Sequence, residues 1–192
     1  MLKVGITGGI GVGKTYVANV LERMGYPVFY ADRVAKDLVN NERKLIDLIK
    51  LEFGEDIYLE DNKLDSKKLS LLAFNDHDVL NSLNKIIHPF VLENFRKWCD
   101  NQNSDIVFKE AAILFETKSN LDLDKVICVT ADKKNRIRRV LQRDERSESE
   151  IKKIISKQMD QEEKEILSDY ILNNNGNESI LFQISKILKD LE

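Results

Sequence analysis

The chain has 192 residues, 42% of them hydrophobic and 33% charged, with a net charge of −3. That composition suits a globular domain large enough to bury a core, and its weakly acidic balance argues against a general nucleic-acid binder. No apolar run reaches membrane-span length, "MLKVGIT" lacks a signal-peptide layout, and Cys99 and Cys128 are far apart without metal-ligand spacing, so a cytoplasmic protein with two reduced, partly buried thiols is expected.

In chain order, "LKVGIT" (2–7) is short, apolar and β-prone and reads as a buried strand. Five of the eight glycines fall between Gly5 and Gly13. Then "KTYVANVLERM" carries Val17, Val20, Leu21 and Met24 at helical spacing, with Gly25 as its cap. "PVFY" (27–30) reads as a second strand, so the chain opens as strand, glycine loop, helix, strand, the beginning of a parallel α/β sheet. Residues 33–103 contain one glycine and several amphipathic stretches, read as a helical insertion that Pro89 should kink or divide. "DIVFKEAAILFE" (105–116) and "KVICVT" (125–130) return to the strand pattern, and "DYILNNNG" (169–176) adds a short fifth strand. Between them, 132–165 is highly charged and helical. The last helix should bury Ile180, Leu181, Ile184, Ile187, Leu188 and Leu191 on one face.

Gly8, Gly13, Lys14 and Thr15 fit the spacing G-x-x-x-x-G-K-[ST], with a strand leading in and a helix leading out. Such a loop suits a polyphosphate. Its glycines let successive N–H groups turn inward, and the helix start adds a positive dipole end. Lys14 supplies a mobile charge for the outer phosphates and Thr15 a hydroxyl for Mg²⁺. A GTPase switch would also need D-x-x-G and N-K-x-D. Glu22, Leu51 and Asn173 stand three residues before the later glycines, and no N-K-x-D occurs, so a kinase for a small acceptor is the stronger reading.

Asp32 follows the second strand, at the sheet edge where parallel α/β folds bind ligands. It reads either as a carboxylate facing the γ-phosphate or as the N-cap of "RVAKDLV". Arg136, Arg139, Arg143 and Arg146 recur at spacings of three, four and three, on one helix face. They are either a solvated stripe or a lid that closes on ATP. Glu110 and Glu116 bracket "AAILF", where a carboxylate could hold Mg²⁺ through water or simply face solvent. By residue type alone, His88 and Trp98 read as packing residues.

Taken together, these segments resemble the dephospho-CoA kinase family nearly end to end. "GITGGIGVGKT", "YADRVAKDLV", "LNKIIHPFV", "AAILFE", "RVLQRDERS", Gln158 and "SDYILNNNG" follow in the family's order. The resemblance implies an α/β P-loop kinase core with a five-stranded parallel sheet (1–31, 104–131 and 166–192), a helical dephospho-CoA lobe (32–103) and a helical lid (132–165). It implies transfer of the γ-phosphoryl of ATP to the 3′-hydroxyl of dephospho-CoA with Mg²⁺, by a monomer or weak homo-oligomer with no nucleic-acid or membrane partner. The implied catalytic residues are Asp32 as base, Lys14 and Arg139. The implied ATP site comprises Gly9, Gly11, Val12, Gly13, Lys14, Thr15, Tyr16, Arg139, Arg143 and Asn174, with Asn173 and Asn175 as alternative registers for the last. Asp32 and His88 would serve the acceptor, and Thr15 and Glu110 the metal. Tyr16 replaces a small hydroxyl residue, and its side chain reads as structural; Ala112 replaces a common proline. A nucleoside or nucleotide monophosphate kinase, and a non-catalytic nucleotide-dependent regulatory module, are the alternatives.

Overall fold

The computed structural model describes residues 1–75 and 77–191. The chain divides into two compact units, Met1–Tyr30 with Gln102–Glu192, and Ala31–Asn101. In the first, β1 (Leu2–Thr7), β2 (Val28–Tyr30), β3 (Ile106–Glu110), β4 (Lys125–Thr130) and β5 (Tyr170–Asn173) form one parallel sheet in the order β2-β3-β1-β4-β5. Central parallel strands are covered on both faces, which explains why β1 and β3 read as apolar runs rather than alternating ones.

One sheet face packs on α1 (Lys14–Arg23) and α9 (Ile180–Leu191). Val17, Ala18 and Leu21 of α1 and Ile180, Ile184, Ile187 and Leu188 of α9 join Val4, Ile6, Phe108, Ile127 and Val129 in one apolar core. Burying each larger side chain contributes about 1.5–3 kcal/mol. Leu181 departs from the expected face and is exposed, while Gln183 is buried. The Gln183 amide accepts from the Asn173 N–H and donates to the Asn173 carbonyl, completing the backbone pairing at the end of β5. The charged segment forms α6 (Lys133–Arg143), α7 (Glu148–Lys157) and α8 (Gln161–Ile166), and α8 packs on β4.

The second unit contains α2 (Ala31–Asn41), α3 (Arg43–Phe53), α4 (Ser66–Asn75) and α5 (His77–Asp100). Pro89 does not divide α5, which runs on through it. Leu83, Val91, Phe95 and Cys99 are buried at helical spacing on both sides of the proline, and that packing outweighs one missing backbone donor. Among the described residues no helix is long and apolar enough to cross a membrane.

All five strands point the same way, so Thr7, Tyr30, Glu110, Thr130 and Asn173 end at one edge of the sheet. The chain leaves β1 towards β2 on one side, while β4 continues to β5 on the other. The strand order therefore reverses between β1 and β4, where such sheets open a ligand crevice. Gly8 lies in that gap with φ of 141°, and a Cβ there would strike the Val129 carbonyl oxygen on β4. Gly176 also has positive φ, but the space around it is open. Gly8→Ala should therefore cost roughly 2–3 kcal/mol of unfolding free energy, and Gly176→Ala only about 1 kcal/mol. Urea denaturation of the two variants checks this; equal losses would mean that backbone strain alone sets the requirement at Gly8.

Candidate active site

The loop from Gly8 to Gly13 joins β1 to α1. Gly11 and Gly13 take positive φ, and Gly13 stands at the cap position of α1 with no side chain capping the helix. The start of α1 therefore offers its positive dipole end and first-turn amides to an anion. A cavity of about 200 Å³ opens there, walled by Gly11, Gly13, Lys14, Thr15, Tyr16, Arg139, Val140 and Arg143. The structure thus brings part of the loop, the helix start and two of the arginines together around one cavity. Tyr16 departs from the sequence expectation, with an exposed side chain on the cavity wall rather than packed inside.

The loop carbonyls are matched by side-chain donors. Lys14 Nζ lies 2.9 Å from the Gly8 carbonyl and 3.3 Å from that of Gly9. Arg136 Nε donates to the Ile10 carbonyl at 2.9 Å. Arg139 donates to the Gly11 and Val12 carbonyls at 3.5 and 3.2 Å and to the Asn174 carbonyl at 2.6 Å. Asn174 Nδ2 adds a bond to Val12 at 2.8 Å. Of the three adjacent asparagines, Asn174 is thus the one on the phosphate loop. Asn175 bonds Asp132 and Asn135, and Asn173 is held by Gln183 and Asn175.

The arginine stripe resolves into separate environments. Arg136 is buried, and desolvation pulls its guanidinium below the ordinary value. Arg139 is half-buried on the loop, while Arg138 is exposed. Arg143 reaches the cavity wall but also pairs with Asp144, which raises its pKa through that hydrogen bond. Arg146 departs from the expected face, because α6 ends at Arg143; it also pairs with Asp144.

Two residues received too little weight from sequence. Lys164 is fully buried, 2.8 Å from the Ala112 carbonyl and 2.7 Å from Glu116. Glu116 also accepts the Met159 N–H at 3.2 Å, so it ties α8 to the segment after β3 and does not stand free as a metal ligand. Gln161 accepts the Gly9 N–H at 3.0 Å, and Gln158 accepts the Ile10 N–H at 2.9 Å. Gln158 is one of the residues that carry the family resemblance; Gln161 carries no pattern that would have flagged it. Both cysteines are free and buried, and burial pushes the Cys128 thiol up to about 11.

Of the remaining expected residues, Glu110 is the buried last residue of β3. Asp32 is exposed in the first turn of α2. His88 lies on α5, which packs on α2 within the same unit. Among the described residues no group of three or more His, Cys, Asp or Glu could hold a metal. A divalent ion here would take most of its ligands from phosphates and water, with the Thr15 hydroxyl as a protein donor, which is the oxygen set Mg²⁺ prefers.

A family model described as dephospho-CoA kinase matches residues 2–179. A protein of Chlorobium chlorochromatii named dephospho-CoA kinase is 37% identical over 194 residues, covering 97% of this chain and 92% of the relative. The crystal structure of TT1252 from Thermus thermophilus superposes with a TM-score of 0.86 at 30% identity, covering 100% and 98% of the two chains. A dephospho-CoA kinase from Campylobacter jejuni shares the fold, with a TM-score of 0.68 at 23% identity and coverage of 98% and 96%.

The arginine contacts make a direct prediction. Arg139→Ala strips donors from three carbonyls, so it should cost about 1–2 kcal/mol of stability and lower turnover by at least about 10²-fold. Arg138→Ala should change neither. Thermal unfolding and steady-state kinetics on the two variants check this, and matching effects would return the stripe to a solvated face.

Proposed function

The chain belongs to the dephospho-CoA kinase family, whose reaction is the ATP-dependent phosphorylation of dephospho-CoA, and on that premise we propose how its residues divide the work. The γ-phosphoryl of ATP passes to the 3′-hydroxyl of dephospho-CoA, giving CoA and ADP. One observation supports the nucleotide half above all. The loop turns its carbonyls onto Lys14, Arg136, Arg139 and Asn174, beside a cavity at the uncapped start of α1. The acceptor half rests on the family.

In this reading Gly11, Val12 and Gly13 form the phosphate cradle, with the first turn of α1 from Lys14 to Tyr16, while Gly9, whose N–H is held by Gln161, stands just outside it. Lys14 leaves the Gly8 and Gly9 carbonyls for the outer phosphates. Arg139 and Arg143, on the wall of the cavity, balance the charge that spreads over the transferring group. Asn174 stands beside the adenine. Thr15, with Glu110 through water, would hold Mg²⁺, which when bound would supply neutralisation of phosphate charge. The unit from Ala31 to Asn101 serves as the acceptor lobe, with Asp32 and His88 on its packed helices α2 and α5. Residues 132–165 serve as the lid. We take the enzyme to be cytoplasmic, a monomer or weak homo-oligomer acting on two small-molecule substrates.

Phosphoryl transfer through a loose transition state demands mainly alignment, so the base orients the hydroxyl and accepts its proton late. Asp32 comes two residues after the last residue of β2, in the first turn of α2, and the family supports it as the base. Asp32→Asn keeps shape and capping ability but removes the proton acceptor. The expected outcome is intact folding, near-normal ATP binding and a turnover loss of about 10²-fold or more. Coupled assay of ADP release checks it, run with dephospho-CoA, adenosine and AMP as acceptors. Turnover of the variant within a few-fold of the parent would move the base elsewhere, and preference for adenosine or AMP would overturn the acceptor.

A further inference from the structure

We infer that Gln158 and Gln161 are positioning residues of the phosphate loop, holding the Gly9 and Ile10 amides so that the later ones meet the nucleotide already ordered. The inference rests on the reading of that loop as a nucleotide site. Gln161 Oε1 accepts the Gly9 N–H at 3.0 Å and Gln158 Oε1 accepts the Ile10 N–H at 2.9 Å. Neither Gly9 nor Ile10 is on the cavity wall, which begins at Gly11 and runs through Gly13, Lys14, Thr15 and Tyr16. The glutamines therefore take the two amides just outside the cavity and leave its wall to the ligand.

Both glutamines are themselves fixed. Gln161 Nε2 donates to the Val129 carbonyl at 3.2 Å and also contacts Cys128 Sγ and Glu165. Between the two glutamines, the Met159 N–H is held by Glu116, which also pairs with the buried Lys164. Arg136 grips the opposite side of the same loop residue through the Ile10 carbonyl. Ile10 thus has its N–H and its C=O tied to two different helical segments. A glycine-rich loop otherwise loses much conformational freedom when it closes on a ligand, and fixing it beforehand removes that cost from binding.

Gln158→Met and Gln161→Met keep the side-chain volume and remove the acceptor. Calorimetric titration with MgADP should give a dissociation constant raised about ten-fold in each variant. The KM for ATP should rise in step, and the KM for dephospho-CoA should stay within about two-fold of the parent. Unchanged MgADP binding in the folded variants would overturn the inference. Tighter binding would also overturn it, because the glutamines would then be occupying amides that the nucleotide takes. Gln161→Met also removes the bond to Val129; if it does not fold, Gln158→Met decides the matter, since it loses the contact to Ile10 while Gln161 stays in place. A parent protein that binds MgADP but does not phosphorylate dephospho-CoA would refute the acceptor assignment alone, and the MgADP comparison would still decide the role of the glutamines.

Discussion

A loop that aims its amides at an anion must turn its carbonyls the other way, and in a packed protein those carbonyls need donors. That constraint organises the first unit. The carbonyls of Gly8, Gly9, Ile10, Gly11 and Val12 all receive donors from Lys14, Arg136, Arg139 or Asn174. Charged donors are stronger partners than neutral ones, which suits a loop with almost no side chain of its own to hold it. The cations around the site consequently have two duties. They satisfy backbone oxygens without a ligand, and in the proposed function Lys14 and Arg139, on the cavity wall, also meet the phosphates. Lys14 is the mobile member of the set, on a flexible stem, whereas the planar fork of Arg139 spans three carbonyls and is harder to move.

How much of this was legible in the sequence follows from the range of the interactions. The strand, loop and helix from Leu2 to Arg23 were readable because each signal is local: an apolar run, glycines where φ must be positive, apolar spacing of three and four. The edge where the strands end followed from a parallel sheet, whereas the order β2-β3-β1-β4-β5 came only from the structure. Pro89 misled because its local penalty is smaller than the packing of the buried residues on either side of it. Leu181 and Gln183 exchanged roles for a similar reason: side-chain polarity could not reveal that the end of β5 would recruit an amide.

The braces of the loop were the least legible part. Gly9 and Gln161 are separated by 152 positions, and Ile10 and Gln158 by 148. A glutamine in a charged helical segment carries no periodic signal, and its amide suits solvent as well as a backbone partner. Arg136 and Arg139 were visible as a stripe, yet the same spacing fits a solvated face. Only the fold distinguishes guanidiniums on loop carbonyls from one paired with Asp144 beyond the end of α6.

The Lys164–Glu116 pair completes this logic. The pair is buried at one end only, with Lys164 fully covered and Glu116 keeping 23% of its side chain exposed, so removing Glu116 would leave a buried charge without its ion pair. Its value here lies in location. Glu116 belongs to the segment after β3, and Lys164 to α8, which packs on β4. The same carboxylate takes the Met159 N–H, between the two glutamines that hold the phosphate loop. Lys164 and Glu116 therefore tie α8 and Met159 to the segment after β3, beside the two glutamines that reach the start of the loop. An apolar replacement could fill the space, but it could not fix where Met159, and with it Gln158 and Gln161, must stand.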